Sequence, residues 1–234
     1  MTIGDPAALI PPPPVGDELP KWMQPRVPDD YKPFALPARL CCIMQKGGSG
    51  KSTTAGCLAC ELALMGFRVR LWDVDAQRGG VSHWFPPQHN YGPGEPPNLL
   101  HLFRGEATPD EVTYATRVPN LYIVPSYTSL KQVELGPPPG VENVINEGIE
   151  NTTEHEIDFE IMDCGPSLGQ LSIAATVAAP DVIIPFKASG FDLDSLQELN
   201  RTLGLVKKRL RPDMRVVAVL LSEVLKSNLA VDVF

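Results

Sequence analysis

The chain has 234 residues, 43% of them hydrophobic and 21% charged, with a formal net charge of −8. That length holds one large α/β domain with a full core, or two small ones. The acidic balance supplies no overall field toward nucleic acid, and no apolar run reaches the roughly 18 residues of a membrane-spanning helix.

Ten of the 25 prolines fall in the first 40 residues, including Pro11-Pro12-Pro13-Pro14. Prolines cannot donate to a hydrogen-bond ladder, so residues 1–38 read as an extended, polyproline-like arm or linker. Trp22 and Phe34 are the groups that would pin it to a domain. The N-terminus lacks the charged and apolar regions of a signal peptide, which makes a cytoplasmic protein the expectation.

From Arg39 onward, short apolar runs alternate with helical patterns. Arg39–Gln45 predicts a first strand and Lys51–Met65 the helix behind it, capped at Gly66. Phe67–Asp73 predicts a second strand, although Arg68 and Arg70 are unusual in a strand buried on both faces. Residues 86–97 are rich in Pro and Gly and form a loop. Leu121–Val124, Ile157–Asp163, Asp181–Phe186 and Met214–Leu221 are further strands. Helices fall near Ser126–Leu135, Val141–Thr152, Leu168–Ala178 and Leu193–Leu210. This alternation is the signature of an α/β fold with a mostly parallel central sheet flanked by helices, here one domain over 39–234.

Cys41, Cys42, Cys57, Cys60 and Cys164 all lie in apolar segments, as expected of reduced thiols in a cytosolic protein. Cys57-Leu58-Ala59-Cys60 has redox or metal spacing but falls in a helix predicted to be buried. It has no second ligand pair and is assigned no metal.

The chemistry concentrates in Gln45-Lys46-Gly47-Gly48-Ser49-Gly50-Lys51-Ser52-Thr53. Gln45 stands where a strict phosphate-binding loop has its first glycine. Gly47, Gly48 and Gly50 still let backbone N–H groups turn toward an anion, and the next helix points its N-terminus at the same place. Lys51 supplies a charge for the β- and γ-phosphates, and the Ser52 hydroxyl can ligate Mg²⁺. Lys46 is a second lysine that such a loop does not require.

Two strands end in acids on the sheet edge where α/β folds bind ligands. The second strand ends in Asp73 and Asp75, and the Ile157–Asp163 strand ends in Asp163, suited to holding a magnesium-bound water. Cys164 follows Asp163, where many ATPases place a catalytic Glu, so Asp75 is the candidate for positioning water. Residues 201–226 hold seven basic side chains against two acidic ones. A local basic patch on an acidic body is therefore possible.

In order and spacing, KGGSGKSTT (46–54), LWDVDAQ (71–77), LYIVPS (121–126), DFEIMDCGPSLG (158–169) and DVIIPF (181–186) resemble the ParA/MinD ATPases. These are P-loop proteins with a deviant Walker A loop, and the segments look most like the ParA/Soj partition branch. The resemblance implies ATP and Mg²⁺ as cofactors, with Lys46, Gly47, Gly48, Ser49, Gly50, Lys51, Ser52 and Thr53 around the nucleotide. Ser52, Asp75 and Asp163 lie on the metal side. It implies a homodimer on ATP binding in which Lys46 reaches the partner subunit's phosphates, beside Lys51 and the water-positioning Asp75.

It further implies nonspecific DNA binding, for which Arg201, Lys207, Lys208, Arg209 and Lys226 are the candidates, and a nucleoid-associated location. A ParB-like DNA-binding or cargo adaptor protein would stimulate hydrolysis. The alternative is a ParA-like positioning ATPase or nucleotide-gated adaptor for a protein cargo. Membrane positioning would need a C-terminal amphipathic basic helix, which Lys226–Phe234 is too short to form.

Two departures stand out: Ala76 and Gly165 occupy positions where the family usually has proline. They predict looser switch loops and a hydrolysis that is slower or differently triggered. The chain also ends at Phe234, before the family's usual C-terminal helices, so a short or truncated form is expected.

Overall fold

The computed structural model describes residues 37–89, 94–152, 156–187 and 192–222. The proline-rich segment before residue 37 and Lys226 lie outside the described residues. The strands are β1 (Ala38–Cys42), β2 (Val69–Val74), β3 (Tyr114–Ala115), β4 (Leu121–Val124), β5 (Phe159–Cys164), β6 (Asp181–Lys187) and β7 (Arg215–Ser222). The helices are α1 (Lys51–Leu64), α2 (Val81–Trp84), α3 (Leu99–Phe103), α4 (Lys131–Leu135), α5 (Val144–Glu150), α6 (Gln170–Ala178) and α7 (Asp192–Arg209).

The seven strands form one sheet in the order β3-β4-β2-β5-β1-β6-β7. Every pairing is parallel except the short antiparallel β3–β4 contact. The expected α/β fold with a mostly parallel sheet is therefore what the chain adopts. Each predicted strand is present, with ends displaced by three residues at most.

Side chains alternate across the sheet because successive residues of a strand point to opposite faces. Leu40 and Cys42 of β1 and Leu71 of β2 join Ala55, Ala59 and Ala63 of α1 in one core. Cys41, Trp72, Val74 and Met162 face the other way, onto α3 to α7. Strands β1, β2 and β5, buried on both faces, leave their ends as the place where polar side chains can gather.

Arg70 is the exception inside the sheet, and it is fully buried. Its guanidinium donates to both Glu160 oxygens on the neighbouring strand, at 3.0 and 2.6 Å, and lies 5.0 Å from the Trp72 ring. Trp72 Nε1 also donates to Glu160, at 2.6 Å, while Thr113 and Thr152 accept from Arg70. The strand tolerates the charge because its partner is one strand away and every contact is a short, directed hydrogen bond.

One expectation fails. The helix over Lys51–Leu64 was predicted to bury its cysteines, yet Cys57 is exposed and Cys60 only partly covered. Small and apolar residues fill most of this helix, and the solvent side is marked by Glu61, one turn after Cys57 on the same face. Only Ala55, Gly56, Ala59, Ala63 and the buried Lys51 mark the inner face.

Candidate nucleotide site

β1 leads into the loop through Ile43 and Met44, and α1 starts at Lys51. Gly48 and Gly50 have φ of +70° and +94°, a region that side-chain-bearing residues rarely adopt. Gly50 is also the N-cap of α1, so no side chain satisfies the helix's first N–H groups, and its first turn holds no acid. Free donors and an uncompensated helix dipole make this an anion-binding end.

Lys51 is buried, and its ammonium donates to the Lys46 carbonyl at 2.9 Å. Burial pulls its pKa down, while nearby Asp163, Cys164 and Asp75 oppose that shift. The loop therefore holds a positive charge against a backbone oxygen rather than a counterion.

β5 delivers Asp163 beside Asp73 of β2 in register. Both Asp163 carboxylate oxygens are buried without a hydrogen-bond partner, as are Gln45 Oε1 and Ser49 Oγ of the loop. Burial first, then the charges of Asp73 and Asp75, pushes the Asp163 carboxyl up to about 8; Ser52 and Lys51 act the other way. Ser52 stands near this carboxylate but outside regular hydrogen-bond geometry. Orphaned buried oxygens normally mean a missing partner. The donor set here, a serine hydroxyl and carboxylates facing a lysine-bearing anion loop, suits Mg²⁺ bridged to phosphate oxygens.

Asp75 sits just past the end of β2. Its side chain accepts from Gln77 N at 2.9 Å, and its own N–H donates to Asp73 at 3.2 Å. A Cβ added at Gly165 would come within 3.0 Å of Asp75 Oδ1. Glycine there lets the loop after β5 lie against the loop after β2, so the departure from proline is tied to this contact. The two loops meet between the sheet edge and the phosphate loop.

The structure thus brings Lys46 through Thr53, Asp75 and Asp163 to one edge of the sheet. Arg201, Lys207, Lys208 and Arg209 belong to a different element, α7, where all four are exposed. Arg201 and Lys208 lie seven residues apart on the side opposite the buried Leu199, Leu203 and Val206.

Sequence reading missed two groups around the site. Ser82 and Ser126 join Asp73 and Asp75 in a hydrogen-bond ring, and Glu134 of α4 accepts from Gln170 N and Leu171 N at 3.2 and 3.3 Å. Glu134 thereby caps α6, whose own N-cap residue Gly169 offers no side chain. The LYIVPS stretch pointed to Ser126 by position, but nothing local signalled Glu134.

An AAA domain family matches residues 38–216. The sporulation initiation inhibitor protein Soj of Bacillus subtilis (strain 168) is 32% identical over 192 residues, covering 81% of this chain and 74% of Soj. The chain belongs to the ParA/Soj family of P-loop ATPases. The chromosome partitioning protein ParA of Myxococcus xanthus (strain DK1622) is 33% identical over 192 residues, covering 81% of this chain. This ParA-type chain spans 66% of that relative's length. Among solved structures, cobyrinic acid a,c-diamide synthase from Mycobacterium smegmatis with bound ADP and magnesium superposes with a TM-score of 0.70. It is 26% identical, and the match covers 79% of this chain and 74% of the synthase. Apo McdA from Cyanothece gives a TM-score of 0.66 at 25% identity, covering 78% and 69%.

Proposed function

We propose that this chain is an ATP-hydrolysing partition ATPase that works as an ATP-bound homodimer on nonspecific DNA. The observation that carries the reading is the orphaned Asp163 carboxylate facing Ser52 and Lys51 at an uncapped helix N-terminus. Those residues match the donor set that a magnesium nucleotide requires. Its membership in the ParA/Soj family supports the partition role.

In this reading, N–H groups of residues 47–52 and the α1 N-terminus bind the phosphates, and Lys51 leaves the Lys46 carbonyl for the β- and γ-oxygens. Ser52 and Asp163 would hold Mg²⁺, with Asp75 on the same side, and the ion would supply neutralising charge to the phosphates. Asp75 orients the attacking water. A new O–P bond forms at the γ-phosphate, the bond to the β-phosphate oxygen breaks, and ADP and phosphate leave. Lys46 acts from the partner subunit on the same phosphates, comparable to an arginine finger, which makes hydrolysis depend on the dimer.

The exposed cations Arg201, Lys207, Lys208 and Arg209 of α7, with Lys226, contact DNA phosphates and release counterions with little base readout. A ParB-like adaptor accelerates a slow basal turnover. A positioning ATPase for protein cargo would share the nucleotide site and lack the DNA step.

The test is ATP turnover and DNA binding in Lys51→Ala and in Lys207→Glu/Lys208→Glu. Lys51→Ala should lose ATP binding. The charge reversal should spare basal hydrolysis and weaken an ATP-dependent, strongly salt-sensitive affinity for DNA. Unchanged ATP affinity in Lys51→Ala by calorimetry sinks the nucleotide site. Absent, salt-independent or sequence-selective DNA binding sinks the partition reading and leaves the protein-cargo one.

A further inference from the structure

The backbone of Asp75 is held on both sides of its Cα. Its N–H donates to Asp73, and its carbonyl accepts from the Ser126 hydroxyl at 2.6 Å. Ser126 comes from the end of β4, 51 residues away in sequence, so this is a tertiary bond and not a local turn. Ser126 is itself fixed, because its N–H donates to the Ser82 hydroxyl at 3.0 Å. Ser82 in turn donates to Asp73 through both its hydroxyl and its N–H. Asp73, Asp75, Ser82 and Ser126 thus close a ring across the ends of two strands and the start of α2. Asp73 and Ser126 are both buried in area, and with Ser82 they form part of the lining of a neighbouring cleft.

Packing holds one side of this segment, where Gly165 lies against Asp75 and Ala76 packs on the core. The loop that follows Asp75 borders an open cleft of about 360 Å³ lined by Gln77, Arg78, Gly79, Gly80, Tyr127 and Thr128 among others. On the cleft side the loop has no packing partner among the described residues, so hydrogen bonds fix it there. The Asp75 carboxylate is tied to the same loop by the bond from Gln77 N. A shift of the Asp75 backbone therefore carries the carboxylate with it.

We infer that Ser126, supported by Ser82, is a positioning residue for hydrolysis, whose hydroxyl fixes the Asp75 backbone and hence the carboxylate that orients water. The inference rests on the ATPase reading for its kinetic consequence but not for its structural one. Misplacement of a reacting group by about 1 Å can cost on the order of a hundredfold in rate, so a lost anchor with partial compensation should cost about tenfold.

The experiment compares Ser126→Ala, Ser126→Thr and Ser82→Ala in the full chain. Two readouts are used: steady-state ATP hydrolysis, and amide hydrogen exchange of residues 75–80 in the nucleotide-free protein. Ser126→Ala should lower kcat about tenfold with KM changed less than about twofold. Ser126→Thr, which keeps the hydroxyl, should recover most of the rate, and Ser82→Ala should fall between them. Ser126→Ala should add no further loss to Asp75→Ala. Exchange at 75–80 should quicken in Ser126→Ala and Ser82→Ala but not in Ser126→Thr.

Wild-type kcat in Ser126→Ala, an equal loss in Ser126→Thr, or a change confined to KM overturns the kinetic role. Unchanged exchange overturns the anchoring itself. If the parent chain does not hydrolyse ATP, the ATPase reading fails and the exchange data alone decide whether Ser126 anchors Asp75. Should Ser126→Ala fail to fold, Ser82→Ala carries the same comparisons, with unchanged exchange and rate counting against the inference.

Discussion

Replacing Asp163 with Asn should stabilise the metal-free protein while removing its response to magnesium nucleotide. The carboxyl is buried without a hydrogen bond and is pushed up to about 8, against 3.8 for an ordinary Asp. Between those values the folded chain holds a proton there that the unfolded chain has released. Stability therefore falls as pH rises from about 4 to about 8, at up to ~1.4 kcal/mol per pH unit. Near pH 7 the accumulated cost is on the order of 4 kcal/mol, an upper figure because water entering the loop relieves part of it. Asn has no such proton, so its curve lacks this slope.

The window is chosen by the neighbour. Asp73 is also raised, to about 6, first by burial and against the bonds from Ser82. Its titration is largely complete by pH 7, so the interval from pH 7 to 8 isolates Asp163. Urea unfolding followed by circular dichroism, with chelator present, should show the advantage of Asp163→Asn growing with pH across that interval and levelling off above pH 8. Parallel stability curves for the two proteins would refute the buried, unpartnered carboxylate as the source of strain. Addition of MgATP should then raise the unfolding midpoint of the parent by several degrees and that of Asp163→Asn much less.

Asp75→Ala should bind ATP with near-normal affinity yet lose at least about a hundredfold in turnover, measured by phosphate release; a near-parental rate would place water activation elsewhere. Lys46→Gln should still bind ATP but sediment as a monomer with it, and a normal ATP-dependent dimer would end the case for action across the interface. Arg70→Met should destabilise by about 3 kcal/mol or more, because it leaves Glu160 buried without its cation; a urea midpoint shift under ~0.5 kcal/mol would show that the pair contributes nothing.

Much of the sheet was legible because parallel strands in a doubly covered sheet are written as apolar runs. Leu121–Val124 is an example whose bounds coincide with β4. The phosphate loop was legible for a different reason: glycines in sequence with Lys and Ser dictate an anion site by local geometry alone. What sequence could not show is short or distant. α2, α3 and β3 have four, five and two residues, too few to display a period. The partner that makes Arg70 acceptable in a strand is Glu160, 90 residues on, and the anchor of Asp75 is Ser126, 51 residues on. Both depend on which strands become neighbours, which no local pattern encodes. Cys57 shows the converse limit, since in this mostly small and apolar helix a single charge, Glu61 one turn on, carried the phase of exposure.

The two lysines and the three carboxylates also explain why ligand and ion must arrive together. The loop side, with Lys51 parked on a carbonyl and α1 uncapped, presents positive potential to an incoming anion. The strand-end side, with Asp73, Asp75 and Asp163 clustered, presents ionisable oxygens without a cation, and Asp163 answers by holding its proton. Triphosphate alone would meet the loop but face the carboxylates; Mg²⁺ alone would meet the carboxylates but face Lys51. Each relieves the other's unfavourable half, so each raises the other's affinity. Linkage requires the two factors to be equal. Because the ion must also displace the Asp163 proton, that shared factor should increase as pH rises toward 8. In Asp163→Asn the pH dependence of the coupling should vanish, measured as the ratio of ATP dissociation constants with and without Mg²⁺ at pH 6.5 and 8; an unchanged pH dependence in that variant would place the displaced proton on another group.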